Sequence, residues 1–164
     1  MMEWTDLDFD EALWRVPEGK MKMRRPHLVP LSKQALAVLE YIRPLTGHGQ
    51  YVFPSPRNYT GTKPMSDAAL VVGIRSLGYE QSEVTAHGFR HTASTMLNES
   101  QLWTPDAIEK QLAHSDEDKS RRTYNAAEYL DERRKMMQWW ADAVETWKEE
   151  AVGNSALYNK NKSV

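Results

Sequence analysis

The sequence predicts an α+β domain, mainly α-helical, with a small antiparallel β-sheet near its N-terminus. Three observations carry that expectation. Short β-friendly runs separated by turn residues fill the N-terminal segment, capping residues repeatedly precede amphipathic stretches, and a long apolar recurrence marks the C-terminal part.

In chain order, Trp4 to Phe9, Leu13 to Val16 and His27 to Leu31 read as strands, with turns at Asp10-Glu11 and Glu18-Gly19. Ser32 caps a helix that sets Leu36, Leu39 and Ile42 on one face and that Pro44 ends after Arg43. Residues 46–64 form an irregular connection interrupted by the apolar Tyr51-Val52-Phe53 piece. Ser66 starts a second helix and Gly78 stops it. Thr85 caps a third, in which Phe89, Ala93, Met96 and Leu97 make an apolar stripe while His87, Arg90 and Ser94 share another face. Thr104, with Pro105 at the first helical position, opens a fourth that runs through Ile108 and Leu112 to about Ala113, leaving His114 at its C-terminal end. After a polar loop at 115–120, Leu130, Met137, Trp140, Val144 and Trp147 recur at helical spacing, so a long amphipathic helix follows. Trp139, Trp140 and Trp147 read there as core or helix-docking residues rather than base-stacking ones. Residues 1–150 are expected to form one domain, and residues 151–164, beyond Gly153 and its neighbours, a flexible tail.

A chain of 164 residues at 40% hydrophobic supports one core, not two. There is no cysteine, so disulfides and thiolate metal sites are excluded and a reducing, cytoplasmic setting is expected. The N-terminal stretch carries Glu3, Asp6 and Asp8 and no long apolar run, which fits neither a signal peptide nor a spanning helix. The formal net charge of −2 hides a strong asymmetry. Arg15, Lys20, Lys22, Arg24, Arg25 and Lys33 stand against Glu18 alone between positions 15 and 33, while acids crowd positions 3–11 and 116–118. A basic stripe on an acidic body is a DNA footprint when chemistry elsewhere agrees, and a solvated hairpin when it does not.

That chemistry is present in dispersed form. His87-Gly-Phe-Arg90 places an imidazole and a guanidinium about one turn apart near a helix N-terminus, where the dipole favours phosphate. His114, Tyr124 and Lys22 add a second imidazole, a phenol and an ammonium, the set that breaking and rejoining a phosphodiester through a covalent tyrosine link requires. Judged singly, each has an ordinary reading. His114 could be a dipole-stabilised cap, His91 a packing neighbour of Phe89, and Arg90 a surface ion pair.

Together, His87-Gly-Phe-Arg90-His-Thr, Gln111-Leu-Ala-His114 and Thr123-Tyr124-Asn, the last followed by Ala-Glu-Tyr-Leu-Asp-Glu-Arg-Arg, resemble the catalytic domain of tyrosine recombinases, specifically P4-like prophage integrases. The resemblance covers roughly residues 2–148 and includes Trp4-Thr-Asp-Leu-Asp-Phe and Met21-Lys22-Met-Arg-Arg-Pro-His-Leu-Val-Pro-Leu-Ser. It implies the tyrosine recombinase catalytic fold and site-specific DNA integration or recombination of a viral genome. Tyr124 would be the nucleophile that gives a 3′-phosphotyrosyl link and a free 5′-hydroxyl, with no cofactor and no obligatory metal. Arg90 and His114 would hold the non-bridging oxygens, Lys22 would protonate the departing 5′-oxygen, and His87 would assist proton transfer. Lys20 competes with Lys22, and Tyr129 with Tyr124, although the Thr-Tyr-Asn context favours Tyr124. Double-stranded attachment-site DNA is the implied partner, contacted by Lys20, Arg24, Arg25, Arg121 and Arg122. The family further implies a tetramer on DNA in the full-length protein, an accessory DNA-bending protein in some cases, and no membrane.

The family uses two arginines, and the first precedes the segment that matches Trp4-Thr-Asp-Leu-Asp. Only Met1, Met2 and Glu3 stand ahead of it here. The expectation is therefore an N-terminally truncated integrase, missing its first helices, its first catalytic arginine and its DNA-clamping domains, and weakly active or inactive alone. The alternative class is a decayed, non-catalytic DNA-binding or oligomerisation module. A topoisomerase-like relaxing enzyme with the same tyrosine chemistry is a third.

Overall fold

The computed structural model describes residues 1–21, 26–58, 60–113 and 129–161, with side chains described as far as residue 153. The sheet has three antiparallel strands, β1 (Leu7–Asp8), β2 (Leu13–Val16) and β3 (His27–Pro30), in the order β1-β2-β3. Leu7 faces Trp14, and Trp14 faces Val29. Leu13 and Val16, at the two ends of β2, are both buried.

The first expected strand begins late. Trp4–Asp6 is a 3-10 turn instead, because the Glu3 N–H donates to the Asp6 carboxylate at 3.1 Å and tightens the chain. The turn also meets a distant segment. The Trp4 amide donates to Gln50 O, its indole Nε1 to Thr46 O, and Val52 N–H to Met2 O. Val52 is fully buried as a result, so the Tyr51-Val52-Phe53 piece serves as a short partner for the N-terminal segment.

Helix α1 (Lys33–Thr46) starts as expected, with Ser32 Oγ accepting from the Ala35 N–H. It does not end at Pro44. A proline in the last turn removes one intrahelical donor, and the end is closed by other bonds: Gly47 N–H to Arg43 O, and Thr46 Oγ1 to Val52 O. Helix α2 (Asp67–Ser76) stops where Gly78 takes φ +93°, a conformation open to glycine at little cost. Helix α3 (Ala86–Glu99) is capped by Thr85, whose hydroxyl accepts from Gly88 N–H at 2.9 Å. Helix α4 (Pro105–Gln111) is capped by Thr104, with Pro105 in its first turn. Helix α5 (Leu130–Asn161) passes through Gly153, where an end was expected; one interior glycine costs about 1 kcal/mol and does not stop a long helix by itself.

The core joins α3, α4 and α5. Leu97, Ile108, Leu112 and Met136 form its buried cluster, with Trp103, Trp139 and Trp140 packed against it. Trp103 meets Trp139 edge-on at 6.2 Å, and Trp140 meets Trp147 at 5.7 Å; Trp139 and Trp140 pack on the core, while Trp147 is exposed. Expected core positions on α3 and α5 differ: Val144 and Trp147 are 44% and 37% exposed. Phe89 is 62% exposed and lines a shallow cavity with Val84, Thr85 and Thr92. On α5 the fully buried methionine is Met136, with Met137 beside it half-buried. The inward line of α5 includes Arg133, also fully buried although charged.

Candidate active site

Arg90 lies in the second turn of α3, and its position follows from the Thr85 cap that starts the helix. Its Nη2 donates to the carbonyl of Leu112, at the C-terminal end of α4. The His-x-x-Arg motif is thereby brought against the Gln111-Leu-Ala stretch that leads into His114. A guanidinium has five N–H donors, and among the described residues Leu112 O is the acceptor that Arg90 meets. Its side chain is only partly buried. His87, one turn earlier, is exposed and meets His91 edge-on at 4.6 Å between ring centroids. His91 thus packs on His87.

Of the residues assigned chemistry from the sequence, Arg90, His87, Lys20 and the rival nucleophile Tyr129 are described. Lys22, Arg24, Arg25, His114, Arg121, Arg122 and Tyr124 lie outside the described residues.

Lys20 sits on the short 3-10 turn Glu18–Lys20, and its ammonium lies 2.6 Å from Asp6 Oδ2 and 2.7 Å from Glu3 Oε1. It ties the second turn of the N-terminal sheet to the first. Burial works against its charge, but hydrogen bonds to Asp6 and Glu3 outweigh burial and hold its pKa above the ordinary lysine value. The hydrogen bond from Lys20, aided by Gln50, holds Glu3 below the ordinary carboxylate value.

The two shifts act at opposite ends of the pH scale. Glu3 gives up its proton more readily in the folded chain than in the unfolded one. Its stabilising contribution is complete above the unfolded value of about 4.3 and is lost as pH falls through the lower folded value. The Lys20 contribution is complete below about 10.4 and is lost only as pH rises through the raised folded value. Thermal melts between pH 6 and pH 2 are therefore expected to fall less steeply for Lys20→Met than for the parent. Parallel curves would mean that the contact does not couple to folding.

Three consecutive side chains at the start of α5 grip the rest of the molecule. The Glu132 carboxylate accepts from both the amide and the hydroxyl of Thr104, at 2.7 and 3.0 Å, at the start of α4. Arg133 donates through Nε to Gln111 Oε1 at 2.9 Å and through Nη2 to Leu28 O on β3 at 2.6 Å. Arg134 Nη1 donates to Glu11 O in the β1–β2 turn at 2.6 Å. The Tyr129 hydroxyl lies 3.4 Å from Asp106 Oδ2, near the start of α4. Sequence reasoning quoted the Asp-Glu-Arg-Arg run without assigning it a task. A signal was available: Arg133 stands three residues before Met136 and seven before Trp140, a register that puts it on the apolar face.

No group of three or more His, Cys, Asp or Glu side chains is placed to hold a metal ion among the described residues, and no helix among them is long and apolar enough to cross a membrane.

Residues 1–130 match the phage integrase family. The chain is 38% identical over 173 residues to the integrase of Enterobacteria phage P4, covering 97% of this chain and 39% of that protein. It is 43% identical over 141 residues to the prophage integrase IntA of Escherichia coli (strain K12), covering 86% of this chain and 33% of that protein. To the integrase of Shigella phage Sf6 it is 40% identical over 152 residues, covering 92% of this chain and 37% of that protein. The chain thus spans 33–39% of the length of these three relatives. No solved structure matches it.

Proposed function

The chain belongs to the phage integrase family, and from that premise we propose that it holds most of the active site of a tyrosine recombinase that cuts and rejoins double-stranded DNA at attachment sites. The Tyr124 oxygen attacks the scissile phosphorus, the bond from phosphorus to the 5′-oxygen breaks, and a 3′-phosphotyrosyl ester and a 5′-hydroxyl result. Lys22 supplies the proton taken up by the 5′-oxygen, and the phenol proton leaves through His87 or water, since a phenol of reference pKa about 10 does not ionise unaided at neutral pH. Arg90 and His114 hold the non-bridging oxygens as charge gathers on them. Religation runs the same steps backwards on a new 5′-hydroxyl, and the ester conserves the energy it needs.

The observation that carries this reading is the bond from Arg90 to Leu112 O, two residues ahead of His114. Two others support the choice among rivals. Lys20 is engaged by Asp6 and Glu3, which favours Lys22 as the acid. Tyr129 is near Asp106, whereas Arg90 meets α4 at Leu112, six residues or about 9 Å further along at 1.5 Å per residue; that favours Tyr124 as the nucleophile. Arg24, Arg25, Arg121 and Arg122 are assigned to the DNA backbone, where phosphate contacts dominate affinity. Tetramer formation on DNA and an accessory bending protein belong to the same reading, as does a cytoplasmic site of action.

Covalent trapping tests it. The chain, both alone and joined to the portion of the phage P4 relative outside the match, is incubated with nicked attachment-site DNA. An SDS-resistant adduct that Tyr124→Phe abolishes is expected in the joined form, with little or none for the chain alone. DNA binding without an adduct in either form would replace this reading with that of a non-catalytic DNA-binding module.

A further inference from the structure

Arg133 is the largest fully buried side chain among the described residues, and it is charged. Withdrawing a guanidinium from water is costly, and a well-packed apolar side chain in such a place is often as stable or more so. Packing therefore does not account for it. Its acceptors do. Nε reaches Gln111 Oε1 on α4, and Nη2 reaches Leu28 O on β3. The guanidinium is planar, so two acceptors from remote parts of the chain are held at a fixed mutual angle, which the single ammonium of a lysine does not reproduce.

The three segments joined at this point each lead to a residue of the proposed chemistry. Gln111 stands three residues before His114, Leu28 six after Lys22, and Arg133 itself nine after Tyr124. We infer that Arg133 is a positioning residue for strand cleavage: its buried guanidinium locks β3 to the end of α4, the two elements whose neighbouring stretches of sequence carry the proposed leaving-group acid and oxyanion donor. The inference rests on the proposed tyrosine chemistry. Because a misplacement of about 1 Å in such a constellation can cost about a hundredfold in rate, its loss acts on chemistry more than on DNA affinity.

The test compares two substrates in whichever form of the protein gives the Tyr124 adduct. One carries the natural 5′-oxygen at the scissile phosphate, and the other a bridging 5′-sulfur, which departs as a thiolate without needing the proton from Lys22. Arg133→Met keeps the volume apolar, and Arg133→Lys keeps the charge but not the fork. With Arg133→Met, single-turnover cleavage is expected to slow at least a hundredfold on the oxygen substrate and about tenfold on the sulfur one, with Arg133→Lys in between. Amide exchange should quicken at least tenfold in residues 27–29 and 111–113 while α1 keeps its protection.

Equal slowing on both substrates, or faster exchange throughout the chain, would reduce Arg133 to a general stabilising role and overturn the inference. A Tyr124 adduct formed by both variants with the parent's oxygen-to-sulfur ratio would overturn it while leaving the proposed reaction intact. Absence of any Tyr124-dependent adduct in the parent would overturn both.

Discussion

On the proposed tyrosine chemistry, Arg90→Lys is expected to slow formation of the Tyr124 adduct by roughly 10²- to 10³-fold, the range typical of removing one preorganised donor from a developing oxyanion. Binding of the same DNA changes far less, because the positive charge is retained. The loss comes from geometry. On the proposed chemistry the arginine has two tasks at once, donating Nη2 to Leu112 O and offering its other N–H groups to the phosphate. A lysine offers a point charge on a flexible stem, so an ammonium that reaches Leu112 O turns away from the phosphate, and one that reaches the phosphate leaves that carbonyl without its partner. Single-turnover cleavage at saturating protein separates the two quantities. A loss below tenfold would mean that Arg90 only braces α3 against α4.

Met136→Ala costs about 2–5 kcal/mol of folding free energy, the usual range for emptying a fully buried methionine site. Single domains hold only about 5–15 kcal/mol in all, so the variant stands close to unfolding at body temperature. Met136 packs with Leu97, Ile108 and Leu112, which come from α3 and α4, so the cavity opens where all three helices meet. Met137→Ala, one residue along and half-buried, is expected to lose clearly less. Urea unfolding midpoints of the two variants, read with their slopes, decide the register of α5. Equal losses would contradict the burial of Met136 in preference to its neighbour.

What was legible in the sequence was local chemistry. Ser32, Thr85 and Thr104 cap their helices through bonds to amides three residues on, and Gly78 stops α2 through its own backbone. None of these needs a distant partner. Several of the misread elements do. The turn at Trp4–Asp6, closed locally by Glu3 and Asp6, is also held by bonds to Gln50 and Thr46, and α1 continues past Pro44 with Thr46 held by Val52. Arg133 is drawn inside by Gln111 and Leu28, and Met136 shares its inward line. At the site, helical spacing was enough to put His87 and Arg90 near one another. It gave no hint that the end of α4 lies against Arg90, nor that two carboxylates hold Lys20, since both depend on how separate elements dock.

The bonds from the start of α5 to the sheet also constrain when the molecule can become native. Arg133 reaches Leu28 and Lys33 reaches Gln138 across 105 residues, and Arg134 reaches Glu11 across 123. At a synthesis rate of about 5–20 residues per second, the sheet waits roughly 5–20 seconds on the ribosome before α5 exists to cover it. During that interval β3 and the inner faces of α3 and α4 lack their partner. Folding is therefore a late event that closes the first and last parts of the chain together, and the nascent protein depends on whatever shields its apolar faces until then.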